Sequence, residues 1–242
     1  MTGDDADKVT YTFAVYANLM KNFAKKVTNI MDQKFILTQE VENVGYIILN
    51  KPERKNAIDV QMMLDITAAI ERYEFDPEVR VIVIKGADHC FYFGGDLAGR
   101  ASSGGTRIDV ADGRNNLRIF NKTISTIQNC DKPVIAMVES YAIGGGFSLA
   151  LACDFIIAAE DAKMASNFLH VGLAPEMGSR LSLPMACGIY RAKELWYSGR
   201  RLSAKEAYEW GIVSRVSPTK LLDRKHRNMQ SRLQASLHCL FV

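Results

Sequence analysis

Several features that mark particular protein classes are missing from this sequence. None of its five cysteines forms a CxxC pair, which disfavours both a thiolate zinc site and a dithiol redox motif. The four histidines have no ligand-like spacing, so none is assigned to metal binding or to catalysis. Unpaired cysteines inside apolar runs are typical of buried thiols. We therefore expect a reducing compartment and no metal site.

Long apolar runs and a strong charge are missing too. No apolar stretch approaches the roughly 20 residues that cross a bilayer, and a net charge of +3 is too small to indicate a nucleic-acid or anionic membrane surface. The first 33 residues are acidic at their start and contain no arginine, which argues against a secretory signal and a transit peptide. We expect neither a membrane nor a nucleic-acid partner, and a cytoplasmic location if the chain is bacterial. An organelle matrix stays open as an alternative, although no targeting signal is evident.

What is present is a regular alternation of strand and helix patterns in a chain that is 48% hydrophobic. Residues 35–50 alternate around a turn signal and predict a β-hairpin, after which Asp59 is placed to cap a helix. Continuous apolar runs at 79–88, 133–140 and 154–160 predict buried strands, with helices between them that end near Gln128 and Cys153. From Pro175 onward the pattern is helical. This order predicts an α/β fold with crossover connections.

Two glycine-rich turns follow buried strands in this pattern. The first is "FYFGGDLAG" at 91–99, and the second is Gly144 to Gly146. In a layered α/β fold both turns are expected at the same end of the sheet. A helix that begins on bare backbone offers unpaired N–H groups to a ligand oxygen. The alternative, that the glycines only permit tight helix–strand packing, is equally compatible with the residues.

The combination of motifs resembles the enoyl-CoA hydratase/isomerase, or crotonase, superfamily. The resemblance runs in order from about Phe35 to Val216 and implies a crotonase-like spiral of repeated ββα units with a short helical C-terminal region. It implies an acyl-CoA-binding catalytic core at 34–216 and leaves a short atypical tail at 217–242. The N-terminal extension at 1–33 precedes this core and is expected to be helical, because its apolar residues recur at helical spacing. It also implies a homotrimer or a dimer of trimers, and a coenzyme A that is part of the substrate rather than a separate cofactor. The motifs that carry it are "LNKPERKNAID" (49–59), "FYFGGDL" (91–97), "KPVIAMVESYAIGGGFSLALACDFIIAAEDAKMA" (132–165), "GLAPEMGSRLSLP" (172–184) and "GRRLSAKEAYEWGIVSRV" (199–216).

The resemblance also implies roles for individual residues. It makes the backbone N–H groups of Gly95 and Gly145 one oxyanion hole for a thioester carbonyl. From the residues alone, without the family resemblance, Arg54 and Lys55 are interpreted as solvated charges in a turn, and Asp96 as the N-cap of the following turn. The resemblance instead implies a coenzyme A path whose residues are Arg54 and Lys55 at the phosphates and Ala57, Phe93, Asp96 and Leu97 along the adenine and pantetheine.

The residues at the two hydratase glutamate positions disfavour ordinary hydration. In the alignment that the resemblance gives, these positions carry Ser148 and Phe168, and neither side chain is an effective acid–base catalyst. We interpret Ser148 as a small residue that admits substrate bulk and can hydrogen-bond a substrate group. Phe168 is interpreted as an apolar pocket wall that would raise the pKa of a nearby carboxyl.

The remaining candidate base is Glu176 in "GLAPEMGS". From local sequence alone, a glutamate after a proline in the first turn of a helix has a capping and dipole explanation. The resemblance to isomerase-type members implies that it is the single carboxylate that moves a proton between C2 and C4 of an enoyl-CoA, as in fatty acid metabolism. The sequence therefore predicts an acyl-CoA isomerase. Two alternatives stay open, namely a hydratase or hydrolase acting on a cyclic or aromatic-pathway CoA thioester, and a non-catalytic acyl-CoA-binding or interaction module.

Overall fold

Strands and helices alternate through the described part of the chain. The computed structural model describes residues 35–93 and 110–218. The strands are β1 (Ile36–Val41), β2 (Val44–Leu49), β3 (Val81–Gly86), β4 (Val134–Val138), β5 (Tyr141–Ile143), β6 (Phe155–Ala159), β7 (Lys163–Ala165), β8 (Leu202–Ser203) and β9 (Arg215–Ser217). The helices are α1 (Val60–Phe75), α2 (Val110–Gln128), α3 (Gly145–Ala152), α4 (Ser179–Cys187), α5 (Ile189–Ser198) and α6 (Ala204–Glu209), with 3₁₀ helices at Pro52–Arg54 and Asn167–Val171.

The larger sheet has six strands in the order β1-β2-β3-β4-β6-β9. The first two strands form the predicted antiparallel hairpin, and each later neighbour pairs in parallel. All five residues of β4 are buried, as are five of the six in β3. Strands buried on both faces read as continuous apolar runs, which explains why the sequence identifies them.

A second, three-stranded sheet is missing from the sequence prediction. It has the order β5-β7-β8, with β5 parallel to β7 and β7 antiparallel to β8. The successive strand pairs β4–β5 and β6–β7 each give one strand to each sheet. Tyr92 follows β3 in the same way and forms a parallel bridge with Ala142 of β5. The second glycine turn therefore leaves the small sheet rather than the large one, and the chain that enters the first turn pairs with the same small sheet at Tyr92.

Two helices begin at side-chain caps. The Asp59 carboxylate accepts a hydrogen bond from the Met62 N–H at 2.9 Å and begins α1, as predicted. Ser203 caps α6 in the same way, accepting from the Glu206 N–H at 3.2 Å. Helices α1 and α2 pack together around a buried hydroxyl pair, in which the Oγ1 atoms of Thr67 and Thr123 are 2.8 Å apart. The periodic apolar faces thus predict helix positions well in this region.

The predicted terminal divisions lie largely beyond the described ranges. The extension at 1–33 is outside them, and so is the tail after residue 218. Within 35–93 and 110–218, the helices are all too short or too polar to cross a membrane. The same ranges contain no cluster of three or more histidine, cysteine, aspartate or glutamate side chains suited to a metal ion.

Candidate active site

The second glycine turn joins β5 to the buried start of α3. The Gly144 N–H donates to the Ala165 carbonyl at 2.8 Å, which ties the turn to the end of β7. Gly144 has a φ of 58° and a ψ of −118°, a conformation that side-chain-bearing residues rarely adopt. No described residue accepts a hydrogen bond from the N–H of Gly145, the first residue of α3. This N–H is therefore a donor that a ligand oxygen can use.

Tyr92 explains why the same turn is made of glycine. A Cβ atom on Gly146 would lie 1.8 Å from Tyr92 Cδ1, so the ring occupies the space of that side chain. A Cβ on Gly145 would lie 3.2 Å from the Tyr92 hydroxyl and 3.0 Å from Met177 Sδ. The packing explanation therefore holds for Gly146, while Gly145 combines close packing with an unpaired donor. Tyr92 is buried, and this packing role was not predicted from the sequence.

The first glycine turn begins just after Tyr92. The Tyr92 N–H donates to the Tyr141 carbonyl at 2.8 Å, and the Tyr92 carbonyl accepts from the Ile143 N–H at 3.1 Å. These bonds hold the chain that enters the first turn against the strand that enters the second. Three predicted site residues, Gly95, Asp96 and Leu97, lie outside the described residues. Convergence of the Gly95 and Gly145 donors stays a prediction.

Glu176 lies in the loop before α4. The expectation that it occupies the first turn of a helix is wrong, because α4 begins only at Ser179. Met177 has a φ of 56° and Gly178 a φ of 73°, and two successive left-handed residues interrupt a right-handed helix. Left-handed backbone is unfavourable for methionine and persists where the surroundings hold it, which is common at functional sites. Glu176 itself is half-buried.

Hydrogen bonds fix the backbone of Glu176 to α3 and α4. Its carbonyl accepts from the Ser148 hydroxyl at 3.1 Å, from the Ser179 hydroxyl at 2.8 Å and from the Ser179 N–H at 3.2 Å. Ser148 lies on the first turn of α3, so this clamp joins residue 176 to the helix whose N-terminus carries the Gly145 donor. The sequence predicted both Ser148 and Glu176 but not the bond between them.

The described contacts of Ser148 and Phe168 are with the protein. Ser148 is 1% exposed, and besides the Glu176 carbonyl its hydroxyl also lies 3.3 Å from the Gly144 carbonyl. Phe168 is buried in the 3₁₀ helix after β7, where its carbonyl accepts from the Leu173 N–H at 3.0 Å. The predicted substrate contacts of both residues stay predictions.

Two cations and two aromatic rings form a surface group that we name the cation–aromatic row. Lys55 Nζ lies 4.4 Å from the centre of the Phe93 ring. The Phe93 and Tyr141 rings meet edge to face, with centroids 4.8 Å apart and planes at 87°. The Arg201 guanidinium lies 5.7 Å from the Tyr141 ring centre. Lys55 and Arg201 are exposed while the two rings are half-buried, an arrangement suited to phosphate and to a flat heterocycle.

A buried asparagine holds one end of the cation–aromatic row in place. The Asn56 side chain accepts from the Lys51 N–H at 2.9 Å and donates to the Ala87 and Cys90 carbonyls. The Phe93 N–H donates to the Lys55 carbonyl at 3.2 Å, so Lys55 and Phe93 are fixed together. Asn56 was not predicted, although an asparagine between a charged turn and an apolar segment favours the left-handed conformation found here. Of the neighbouring predicted residues, Arg54 is exposed and Ala57 is buried.

The described cysteines do not add a nucleophile to the site. All four are free thiols. Burial raises the pKa of the Cys90 thiol, the one nearest to Lys55, and burial is also the main cause of the raised pKa values of the other three. Thiols with raised pKa values stay protonated at neutral pH and react slowly. Among the described residues that the sequence singled out, Glu176 is therefore the acid–base candidate.

Comparisons with known proteins identify the family that the sequence and the fold resemble. The family model described as enoyl-CoA hydratase/isomerase matches residues 39–241. A probable enoyl-CoA hydratase of Rhizobium meliloti is 36% identical over 80% of this chain and 73% of its own length. A carnitinyl-CoA dehydratase of Salmonella paratyphi A is 40% identical over 73% of this chain and 66% of its own length.

Solved structures give the same result. The crystal structure of an enoyl-CoA hydratase from Bacillus anthracis superposes with a TM-score of 0.77 at 31% identity, covering 83% of this chain and 76% of the other. An enoyl-CoA hydratase from Polaromonas sp. JS666 has a TM-score of 0.78 at 32% identity, with coverage of 83% and 77%. The predicted α/β crotonase-like fold is confirmed. The relatives named here are hydratases and a dehydratase rather than isomerases.

Proposed function

We propose that this chain, which belongs to the enoyl-CoA hydratase/isomerase family, is an acyl-CoA isomerase. It would shift a double bond of an enoyl-CoA through an enolate. Coenzyme A is then part of the substrate, and no separate cofactor is needed. The observation that carries the proposal is the Ser148–Glu176 bond, because it ties the backbone of Glu176, the candidate base, to the helix that begins at the unpaired Gly145 N–H.

In the proposed reaction, the thioester oxygen accepts a hydrogen bond from Gly145, with Gly95 as the expected second donor. Glu176 removes a proton from C2 of a 3-enoyl-CoA, and the electron pair delocalises over the dienolate onto the thioester oxygen. The same carboxyl then returns the proton to C4, which leaves a 2-enoyl-CoA and restores the carboxylate. A fixed oxyanion donor typically lowers such a barrier by about 3 to 4 kcal/mol.

The cation–aromatic row would hold the coenzyme A portion. Lys55 and Arg201 provide positive charge for its phosphates, and the exposed parts of the Phe93 and Tyr141 rings provide apolar faces for its adenine. This surface extends the predicted coenzyme A path, which included Lys55 and Phe93, by two residues. Arg54 is expected to contribute charge from the exposed 3₁₀ helix before it.

Substitution of Glu176 by glutamine tests the reaction. Because glutamine keeps the size of the side chain but cannot exchange a proton, we expect kcat for conversion of 3-enoyl-CoA to 2-enoyl-CoA to fall about 100-fold or more. Glu209→Gln on the exposed end of α6 is the matched control and should leave kcat unchanged. Near-full kcat in a folded Glu176→Gln enzyme would remove this residue from the mechanism. Tight binding of CoA thioesters by the unmodified protein without turnover would support a non-catalytic binding module instead.

Hydration is the second candidate, and the names of the relatives favour it. In that reaction Glu176 would activate a water molecule that adds to C3 of a 2-enoyl-CoA. Turnover in water enriched in ¹⁸O separates the two reactions, because hydration incorporates the label and a double-bond shift does not. A labelled 3-hydroxyacyl-CoA as the main product would replace the isomerase proposal with a hydratase.

We also propose that the chain assembles as the trimer that the resemblance implies. Several apolar side chains on the 3₁₀ helix after β7 and on α4 and α5 are exposed in the single chain, and a cluster of this kind is common at subunit interfaces. They are Leu169, Val171, Leu181, Met185, Ile189, Tyr190 and Tyr197. Sedimentation equilibrium should give three times the chain mass, or six times for a dimer of trimers. A stable monomer would contradict the assembly.

A further inference from the structure

Two neighbouring polar side chains between β7 and Phe168 lack partners in the described part of the chain. Ser166 is 2% exposed, and its hydroxyl has no hydrogen-bond partner there. The half-buried Asn167 amide also makes no side-chain hydrogen bond to a described residue. We name Ser166 and Asn167 the polar pair. Buried polar groups in folded proteins are nearly always hydrogen-bonded to protein or to water, so an unpaired one calls for a partner from outside the described residues.

The polar pair lies against the glycine turn. It directly follows Ala165, whose carbonyl accepts the Gly144 N–H at 2.8 Å. A Cβ atom on Gly144 would be 3.2 Å from Asn167 Oδ1, so the amide lies beside that residue. Standard backbone dimensions then place Asn167 Oδ1 within roughly 7 Å of the Gly145 nitrogen. A ligand whose carbonyl binds the Gly145 N–H can therefore reach the amide with its first few carbon atoms.

The described ranges contain three other buried polar side-chain atoms without a hydrogen-bond partner, and the Ser166 hydroxyl differs from them in its position in the fold. Those atoms belong to Arg72 on α1, Trp196 on α5 and Ser217 on β9. Ser166 alone among the four belongs to the segment that bonds to the glycine turn. The hydroxyl also fails to cap the 3₁₀ helix that begins after it, although capping is the common local use of serine at such a position.

We propose that the polar pair is a subsite for a neutral oxygen substituent on the third or fourth carbon of the acyl group. The inference rests on the proposed function, because it assumes a thioester bound at the Gly145 N–H. An amide and a hydroxyl each donate and accept hydrogen bonds, so the pair suits a substrate hydroxyl or keto group. The preferred substrates are then acyl-CoA thioesters with such an oxygen rather than unsubstituted chains.

Calorimetry with two pairs of saturated thioesters tests the subsite. In each pair a methyl group replaces a hydroxyl of similar size, and neither member contains a double bond to shift. The pairs are 4-hydroxybutanoyl-CoA with pentanoyl-CoA, and 3-hydroxybutanoyl-CoA with 3-methylbutanoyl-CoA. The second pair is titrated against Glu176→Gln, so that loss of water from the 3-hydroxy compound does not interfere.

We expect the hydroxyl compound of at least one pair to bind about tenfold more tightly, the size given by two neutral hydrogen bonds. Asn167→Leu should reduce this preference to about threefold or less, because it removes the bond to the amide and keeps a similar volume. Asn115→Leu, on the exposed face of α2, is the matched control and should retain it. Ser166→Ala should reduce the preference to about threefold without lowering the thermal midpoint, because it deletes an unpaired hydroxyl.

Three results would overturn the inference. Equal binding of both members of both pairs would remove the polar subsite and leave the proposed function intact, since the thioesters still bind. An undiminished preference in Asn167→Leu would exclude Asn167, and if that variant does not fold, an unchanged preference in Ser166→Ala decides against the pair. Failure of the unmodified protein to bind any CoA thioester would instead overturn the proposed function, and the inference with it.

Discussion

The glycine turn and the cation–aromatic row are built in different ways. At the turn, backbone bonds and close packing fix Gly144 to Gly146 against Ala165 and Tyr92, and every member is buried. In the row, exposed cations lie over half-buried rings and touch mainly through side-chain faces. A ligand at the turn meets main-chain groups whose positions the fold determines. A ligand at the row meets side chains that adjust to it.

Because of this difference, substitutions at the two places should have different effects. Substitutions at the turn should affect folding or kcat, because its geometry cannot relax without moving α3. Substitutions in the row should affect affinity alone, and each should act nearly independently, because exposed side chains contribute modest and separable energies.

Gly146→Ala should have the largest effect. The added Cβ would lie 1.8 Å from Tyr92 Cδ1 and 2.4 Å from Cγ, so either the buried ring or α3 has to move. We expect the free energy of unfolding to fall by about 3 kcal/mol or more, at the upper end of overpacking effects. Denaturant unfolding followed by circular dichroism measures the loss.

Gly172→Ala is the matched control for Gly146→Ala. Gly172 has a φ of 69° and nothing within 4 Å of its missing Cβ, so alanine there adds backbone strain without a clash and should cost about 1 kcal/mol. In the double variant Gly146→Ala/Tyr92→Ala, the destabilisation should be smaller than the sum of the two single effects, because the shortened side chain leaves room for the methyl group. Additive losses would mean that Tyr92 is not the reason for glycine at 146.

Ser148→Ala should have the next largest effect, on kcat. The variant removes the hydroxyl that bonds to the Glu176 carbonyl, while the two bonds from Ser179 to the same carbonyl remain. We expect kcat to fall about tenfold, since small misplacement of a proton-transfer group is costly, and KM to change less than about twofold. Steady-state kinetics on a 3-enoyl-CoA measure both constants.

The split between kcat and KM separates two roles for Ser148. A residue that positions Glu176 changes kcat, whereas the substrate contact predicted from the sequence would raise KM. Ser182→Ala is the control, because its hydroxyl makes a comparable 3.3 Å bond to the Gly178 carbonyl on the exposed side of α4. A raised KM with unchanged kcat in Ser148→Ala would mean that Ser148 contacts the substrate and does not position Glu176.

The large sheet and its helices were predictable because their signals are long. Strands β3 and β4 are continuous apolar runs, and α1 has a capped, periodic apolar face. Strand β5, with three residues, is too short to carry an alternation signal, and a lone bridge at Tyr92 carries none. The second sheet was therefore not predictable from the sequence and is seen only in the structure.

The sequence predicted several residues of the site but not the hydrogen bonds between them. Glu176, Ser148, Lys55 and Phe93 were all identified through the resemblance, yet the Ser148–Glu176 bond depends on how the loop before α4 folds. That loop was misassigned because the left-handed φ of Met177 has no local signal, methionine being an unusual residue for it. Tyr141 and Arg201 were missed because they join the row only through tertiary contacts.

The smallest effects are expected in the cation–aromatic row. Lys55→Ala and Arg201→Ala should each raise KM for a CoA thioester about threefold to fivefold without changing kcat, because an exposed cation near a phosphate contributes about 1 kcal/mol or less. The increase should shrink at high ionic strength, where salt screens the charge. Lys205→Ala, an exposed lysine of α6, is the control. Since the row acts on affinity alone, a lower kcat in either variant would mean that it also positions the acyl group, and the contrast with the glycine turn would not hold.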